Sequence, residues 1–548
     1  MTDAPAAEEK PKTVEEQIDA LFAPWNRSDA PGMAVGVVKD GKTLFRRGYG
    51  MASLETRVAI APTTRLRIGS TSKHFTGLLA LLLQEDGKLD LDAPIRTYVP
   101  ELTGPGGEPS VRQLLQHRGG SRCYLDVGFV MHGMLAPPVG EALRVQARQT
   151  GRNFAPGAAM IYNNGGYHMV SIAIERVGGA PFEEQLKTRL FDPLGMAETL
   201  SLPSDHIITP GMAAMHVPSP AGGWRRGLFP SEEVRGEGAI VSTIDDMLRW
   251  TSHLRTRDKV GSKESWRQLT ELPTYADGSK GHYALGLMFE DYRGLPTMHH
   301  AGGVIGGSSQ MLTFPDHGLD VVILVNGALA ANPLRLAEQI ADIVLADQLA
   351  PEAEKIESKA HEGLLGRWWS PDSGITYDFL DEAGELKIGV GGMPQGSKLR
   401  AAGEGRFASP PMSIGEIAID ATDAANGTVK ISFGGETASY RKVEKAETLD
   451  DGFVRSIEGR YASVDGGGIA EIRREDDKLM VRFNDQPGSI EIELAPFAGV
   501  DAASTTTMRP DAMHFTVLNF DREGGEGSAA KGFTLNSMRT RNLDFVRA

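Results

Sequence analysis

The segment "LRIGSTSKHFTGLLALLLQEDG", residues 67 to 88, sets a serine and a lysine three positions apart at the start of an almost wholly apolar run. A serine hydroxyl is a poor nucleophile until a neighbouring group takes its proton. Residues at i and i+3 of a helix share a face, with Cβ atoms about 5–6 Å apart. A helix from about Ser70 to Glu85 would therefore bring the Ser70 hydroxyl and the Lys73 amine within reach of each other. Apolar neighbours such as Phe75, Leu78 and Leu79 disfavour the charged amine and make it a better proton acceptor. The spacing alone is common, since Ser439–Lys442 and Ser528–Lys531 repeat it in β-rich text where no helix would align the pair.

Two further patterns add to it. Of the eleven tyrosines, Tyr162 alone has asparagine two residues on, in "MIYNNGGYHM". A phenol beside a lysine ammonium has its phenolate favoured, so it can share the serine proton and pass it to a leaving group. Asn164 can hydrogen-bond both the lysine and a substrate carbonyl. In "HHAGGVIGGSSQMLTF", the triplet His300-Ala301-Gly302 precedes a strand-like run. The N–H of Gly303, with that of Ser70, could form an oxyanion hole. His299 and His300 are adjacent, a poor geometry for joint metal binding, and no His-Glu-x-x-His pattern exists in the chain.

Elements must hold these groups. "GMAVGVVKDGKTLFRRGYGMA" alternates about Asp40-Gly41 and reads as a β-hairpin with a type I′ turn. "VSTIDDMLRWTSHL" reads as a helix capped by Ser242 or Thr243, with Asp245 and Asp246 at the positive end of its dipole. Strand-like runs return after residue 280, and "PLRLAEQIADIVLADQL" is helical again. A sheet built from both ends of this region, with helices packed on it, explains that order and predicts an α+β fold. The charged stretch 349 to 363 reads as a linker. Beyond it, "GRWWSPDSG" at Gly366 is echoed by "GRYASVDGG" at Gly459, each followed by a charged hairpin. The echo predicts two small antiparallel β-barrels, with Trp368 and Trp369 in a barrel core. The expected domains are 13–348, 361–448 and 452–548, behind a disordered leader over residues 1 to 12.

Composition narrows the function. The 548 residues carry a net charge of −15, which argues against nucleic acid and anionic membranes as partners. The single cysteine, Cys123, excludes an intramolecular disulfide and reads as an inert thiol. No apolar run has the length of a membrane span. The polar, acidic N-terminus shows no secretory signal, so a cytoplasmic protein is expected, with a processed exported form as the alternative.

Ser-x-x-Lys, Tyr-x-Asn and His-x-Gly in this order resemble the class C β-lactamase-like serine hydrolases, over about residues 20 to 345. "LLQHRGG", "FDPLGMAETL", "GEGAIVSTIDDMLRW" and "FPDHGLDVVILVN" add to the likeness, although the family usually has serine where Gly119 or Gly120 stands. The resemblance implies a β-lactamase-like catalytic domain in which Ser70 attacks a carbonyl and Lys73 and Tyr162 manage the proton. Asn164, His300, Gly302 and Gly303 would contact substrate, and the assignment of one base between Lys73 and Tyr162 stays open. Relatives acting on β-lactams carry a cation in the third motif, as Lys-Thr-Gly or Lys-Ser-Gly, and neither triplet occurs here. The three-part layout is similar to that of the D-aminopeptidases of this family. A peptide or amide hydrolase of that type, or one acting on short linear peptides, is therefore expected. Carboxylesterase or β-lactamase activity, or a catalytically silent peptide-binding protein, are the alternatives. In D-aminopeptidases a loop of the last domain helps select a free amino terminus; its counterpart here, "TTTMRPDAMHFTV" with Asp511, is short. Nothing in the pattern requires a metal or organic cofactor. The expected partner is a small-molecule or short peptide substrate, with the chain a monomer or homodimer.

Overall fold

The computed structural model describes residues 13–548 apart from 133–136, 230, 328–330, 392–395, 410–415, 485–488, 506–515, 523–527 and 538. The expected leader and Asp511 lie outside the described residues.

Six antiparallel strands form the first sheet: β1 (Met33–Lys39), β2 (Lys42–Tyr49), β3 (Met288–Tyr292), β4 (Leu295–Val304), β5 (Gly307–Phe314) and β6 (Leu319–Val325). Their spatial order is β3-β4-β5-β6-β1-β2, so β1 of the N-terminal hairpin pairs with β6 from the far end of the domain. Asp40 and Gly41 both have positive φ, as a type I′ turn needs.

Helices cover both faces, and the period of two along the strands sorts the side chains between them. Met33, Val35, Val321 and Ile323 pack under α1 (Val14–Phe22) and the later α6 (Pro333–Val344). Ala34, Val38, Val322 and Leu324 face a larger core built on α2 (Lys73–Glu85), α4 (Asn164–Gly178) and α5 (Ile244–Thr256). Thr13 and Glu16 form a capping box on α1, and Thr243 caps α5 by accepting from the Asp246 N–H. Between α2 and α4 lies α3 (Tyr124–His132).

The predicted helix over 70–85 is shorter than expected. Residues Gly69–Ser72 form a 3₁₀ turn, and α2 begins at Lys73. In a 3₁₀ turn the i and i+3 side chains eclipse, so the tighter winding sets residues 70 and 73 over each other.

Nine strands between Gly366 and Val443 make a second sheet whose two end strands are consecutive in the chain. It includes β7 (Thr428–Phe433) and β8 (Glu436–Val443). Eight strands from Gly459 to Arg547 close into a barrel that ends with β9 (Gly532–Asn536) and β10 (Leu543–Arg547). The two echoed segments each open one of these sheets. Trp368 is buried in the core of the first, as expected. Trp369 differs: it packs with Val443 against Phe497, Ala502 and Val517, filling the seam between sheet and barrel. Adjacent strand residues point to opposite faces, so only one of the pair could enter its own core. On the other side the barrel core runs on into Tyr124 and Val127 of α3.

No helix among the described residues is long and apolar enough to cross a membrane.

Candidate active site

Ser70, Lys73, Tyr162 and Asn164 meet at one point. Lys73 is fully buried, and its amine lies 3.0 Å from Ser70 Oγ, 2.8 Å from Asn164 Oδ1 and 2.6 Å from the Glu237 carbonyl oxygen. The amine also stands 4.7 Å from the centre of the Tyr162 ring. Asn164 opens α4, and Asn163 before it caps the helix by accepting from the Gly165 N–H at 2.7 Å. Asn163 is held in turn by Nδ1 of His117, which accepts its backbone N–H at 3.0 Å. The Tyr-x-Asn spacing therefore works because it straddles a helix N-terminus: the phenol lies outside and the amide on the first turn.

The third motif is fastened to the 3₁₀ turn. Thr71 Oγ1 lies 2.9 Å from Ser309 Oγ and 3.3 Å from the His300 carbonyl, and Ser309 Oγ donates to the Ile68 carbonyl at 2.7 Å. Contact is so close that a Cβ on Gly302 would stand 1.9 Å from the Ile68 oxygen. Gly69, at φ +51, leaves its missing Cβ position 2.9 Å from the Gly303 nitrogen. Both glycines are thus required for the β4 backbone to approach Ser70. Gly303 itself is exposed, so its edge of β4 opens to solvent beside the serine.

His300 is engaged at both ring nitrogens. It is buried, its Nδ1 lies 2.6 Å from the Ala301 carbonyl and its Nε2 3.0 Å from the Tyr283 hydroxyl. The tautomer that satisfies both has Nδ1–H donating and Nε2 accepting. Burial, with Lys73 nearby, holds the ring well below its ordinary pKa. His300 is therefore a neutral, saturated support of the strand, and its ring offers no cation to a substrate.

Electrostatics separate Lys73 from Tyr162. Burial lowers Lys73 to about 7, with Glu237 opposing and Arg539 adding to the fall. Burial pushes the Tyr162 hydroxyl up, and its hydrogen bond with Ser70 only partly reverses this. The lysine is therefore poised as an amine while the tyrosine stays a phenol, the reverse of a phenolate favoured by a lysine cation. Desolvation decides it.

Three contributors were not legible in the motifs. Glu237 lies in "GEG" ahead of the α5 helix, and nothing in its spacing marks it. Its carbonyl accepts from Lys73, and its buried carboxylate accepts from Tyr124 at 2.7 Å and meets His168 Nδ1 at 2.9 Å. Burial pushes that carboxyl up, and His168 and Tyr124 more than reverse it, leaving it below its ordinary value. The second is the β7–β8 turn: the Gly434 carbonyl accepts from Met160 N at 2.8 Å, and Phe433 packs with Tyr162 against a cluster of Met160, Tyr275 and Tyr283. The third is the β9–β10 turn of the barrel, which reaches α3 and Asn153 and brings Arg539 close enough to act on Lys73 and Tyr162. Arg541 of that turn donates to Glu436 at 2.6 Å, tying the two intruding turns together.

Cys123 is buried, and burial raises its thiol, in keeping with an inert side chain. Among the described residues no group of His, Cys, Asp and Glu is arranged to hold a metal ion.

Residues 13–345 match the protein family described as Beta-lactamase. The chain is 29% identical to a D-aminopeptidase of Cereibacter sphaeroides over 551 residues, spanning 96% of this chain and 98% of that protein. It is 30% identical over 375 residues to a D-aminopeptidase of Brucella anthropi, spanning 67% of this chain and 68% of that protein. The octameric penicillin-binding protein homologue from Pyrococcus abyssi superposes with a TM-score of 0.54 at 18% identity, over 97% of this chain and 99% of that one. The D-amino acid amidase from Ochrobactrum anthropi SV3 superposes with a TM-score of 0.52 at 22% identity, over 61% of this chain and 99% of that one. These two structures share the fold.

Proposed function

We propose that this chain, which belongs to the beta-lactamase family, hydrolyses peptide or amide bonds through an acyl-enzyme on Ser70, in the manner of its D-aminopeptidase relatives. The observation that carries the reading is the buried Lys73 amine 3.0 Å from Ser70 Oγ with Tyr162 over it. A binding protein has no use for a lysine held near its neutral form beside a hydroxyl.

The amine takes the Ser70 proton as Oγ attacks the carbonyl carbon. The N–H groups of Ser70 and Gly303 face the developing oxyanion. When the intermediate collapses the C–N bond breaks, and the proton reaches the departing amine through the Tyr162 phenol. Water then attacks the acyl-serine with Lys73 again as acceptor. All of these groups come from one chain. A neutral, saturated His300 offers nothing to the carboxylate that β-lactams present to the third motif, which favours amides and esters over β-lactams.

Labelling with a fluorophosphonate probe followed by intact-mass measurement tests the nucleophile. One covalent adduct is expected, absent from Ser70→Ala; a protein that takes no adduct would be the silent binder instead. A panel of D- and L-amino-acid p-nitroanilides, p-nitrophenyl esters and nitrocefin then ranks the reactions, and fastest turnover of nitrocefin would refute the reading of His300.

The pH profile follows from Lys73. Only the neutral amine accepts a proton, so kcat/KM is expected to fall about tenfold per pH unit below a midpoint near the value of about 7 that burial imposes. Because burial raises Tyr162 rather than lowering it, no opposing fall is expected up to about pH 9. A flat profile down to about pH 5 would remove Lys73 as the acceptor.

A further inference from the structure

We propose that Glu237 is a positioning residue for Lys73, and that Tyr124 couples it to the docked barrel. This rests on the acyl-enzyme reading above and deepens it by naming what aims the base.

Glu237 presents its two ends to different neighbours. Its backbone carbonyl accepts from the Lys73 amine at 2.6 Å, the shortest of that amine's three contacts. Its buried carboxylate is held at both oxygens. The Tyr124 hydroxyl donates to Oε1 at 2.7 Å, and the Arg235 N–H donates to Oε2 at 3.2 Å. His168 Nδ1 lies 2.9 Å from Oε1, a donor contact because an ionised carboxylate only accepts. The turn between the two ends is clamped by α2 and α4. Thr76 Oγ1 donates to the Gly236 carbonyl at 2.9 Å, and the Gly236 N–H donates to Ser171 Oγ at 2.9 Å. A Cβ on Gly236 would stand 2.4 Å from Ser171 Oγ and 2.7 Å from Thr76 Oγ1, so only glycine lets the turn lie this close.

The consequence for the base is directional. A neutral amine gives its two protons to Asn164 Oδ1 and the Glu237 carbonyl, and its lone pair faces Ser70 only while both acceptors keep their places. Asn164 is fixed by the first turn of α4. The Glu237 carbonyl belongs to a turn, and the carboxylate of the same residue anchors it. Glutamine could not take over that anchor, since it offers one oxygen and an NH₂ group to three donors.

Tyr124 extends these contacts to the barrel. Its ring joins the apolar cluster of Tyr461, Leu535 and Leu543, while its hydroxyl reaches Glu237. Neighbouring charges are engaged elsewhere: Arg235 donates to Glu175 at 3.0 Å, and Glu233 accepts from the N–H groups of Gly140 and Ala142. Around Lys73, burial keeps Tyr162 and Tyr167 as phenols and Cys123 as a thiol. It also holds His74, His117 and His300 neutral. The Glu237 carboxylate is then the anion that favours the ammonium, with Arg539 opposing it.

The test follows the rate at which a fluorophosphonate labels Ser70 in the full chain, over about pH 5 to 9. Glu237→Gln is expected to lower the maximal labelling rate about tenfold while the half-saturating probe concentration stays unchanged. Its acid midpoint should move down by about one pH unit, because loss of the anion favours the amine over the ammonium. Tyr124→Phe keeps the ring in the barrel core and the carboxylate in place. It should lower the maximal rate about three- to tenfold, the worth of one hydrogen bond, at an unmoved midpoint. A purely structural role would lower the melting temperature and leave the rate and midpoint of the folded protein alone. Maximal rates equal to wild type in both variants, or an unmoved midpoint in Glu237→Gln, overturn the proposal. Should Glu237→Gln not fold, Tyr124→Phe decides through its rate. Absence of labelling in the wild type sinks the acyl-enzyme instead, whereas wild-type labelling matched by both variants sinks the positioning role alone.

Discussion

Lys73→Met lowers kcat/KM for amide substrates by about 10³- to 10⁴-fold, the expected worth of a positioned general base. The reasoning starts from the count of protons on the amine. As an ammonium it has three, and Ser70 Oγ, Asn164 Oδ1 and the Glu237 carbonyl are three acceptors at 3.0, 2.8 and 2.6 Å. As an amine it has two, which the amide and carbonyl take, so the lone pair is left facing Ser70. The geometry thus converts loss of one proton into a base aimed at the nucleophile. Methionine matches the length and apolar stem but has no such lone pair. Two buried acceptors lose their donor at about 1–3 kcal/mol each, offset by relief of a desolvated charge, so the variant should remain folded. Steady-state kinetics with a thermal melt check this, and a variant within about tenfold of wild type would transfer the base role to Tyr162.

Asp465→Ala is expected to destabilise the seating of the barrel by about 3–5 kcal/mol, because it leaves a buried cation unpaired. Arg122 of the catalytic domain is 2% exposed and meets Asp465 of the barrel at 2.5 Å. Asp465 also accepts from the N–H groups of Thr150 and Gly151 and from the Thr150 hydroxyl, at 2.9 to 3.1 Å. Burial pushes its carboxyl up, and these donors with Arg122 more than reverse it, so the group sits below its ordinary range in the folded state. A depressed carboxyl contributes stability that is fully present above its unfolded pKa of about 3.9 and is lost as pH falls through the folded value. The barrel should accordingly loosen in acid. Urea unfolding followed by tryptophan fluorescence measures the first effect; a midpoint unchanged from wild type would show that the clasp carries no net stability.

How much of this was legible beforehand depends on distance along the chain. Ser70 and Lys73 could be paired on paper because one turn of backbone fixes their separation, whether α or 3₁₀. The Asp40-Gly41 hairpin, the Thr243 cap and the order of a mixed domain followed by two β-rich units are likewise local matters, settled by turn chemistry and by periods of two and 3.6 residues. The Tyr162 position was legible only as a pattern; that a segment near 160 folds over one near 70 follows from packing α4 against α2.

Other features had no trace in the string. The echoed segments place aspartate at corresponding offsets, yet Asp372 is exposed while Asp465 is buried in the clasp. Trp368 and Trp369 are adjacent, yet one fills a core and the other a seam between units. Lys73 and Tyr162 were both legible as proton-managing groups, but which of them burial leaves closer to losing its proton was not, because protonation depends on how completely water is excluded once distant segments close over the site. The same holds for Arg539. A residue in the last turn of the chain comes to stand beside Asp126 only because a barrel docks on α3. Sequence by itself determined the pairing of Ser70 with Lys73 and the succession of folds, since these rest on short-range geometry. Which charges share the cavity, and which of them are stripped of water, was decided by tertiary contacts across hundreds of residues.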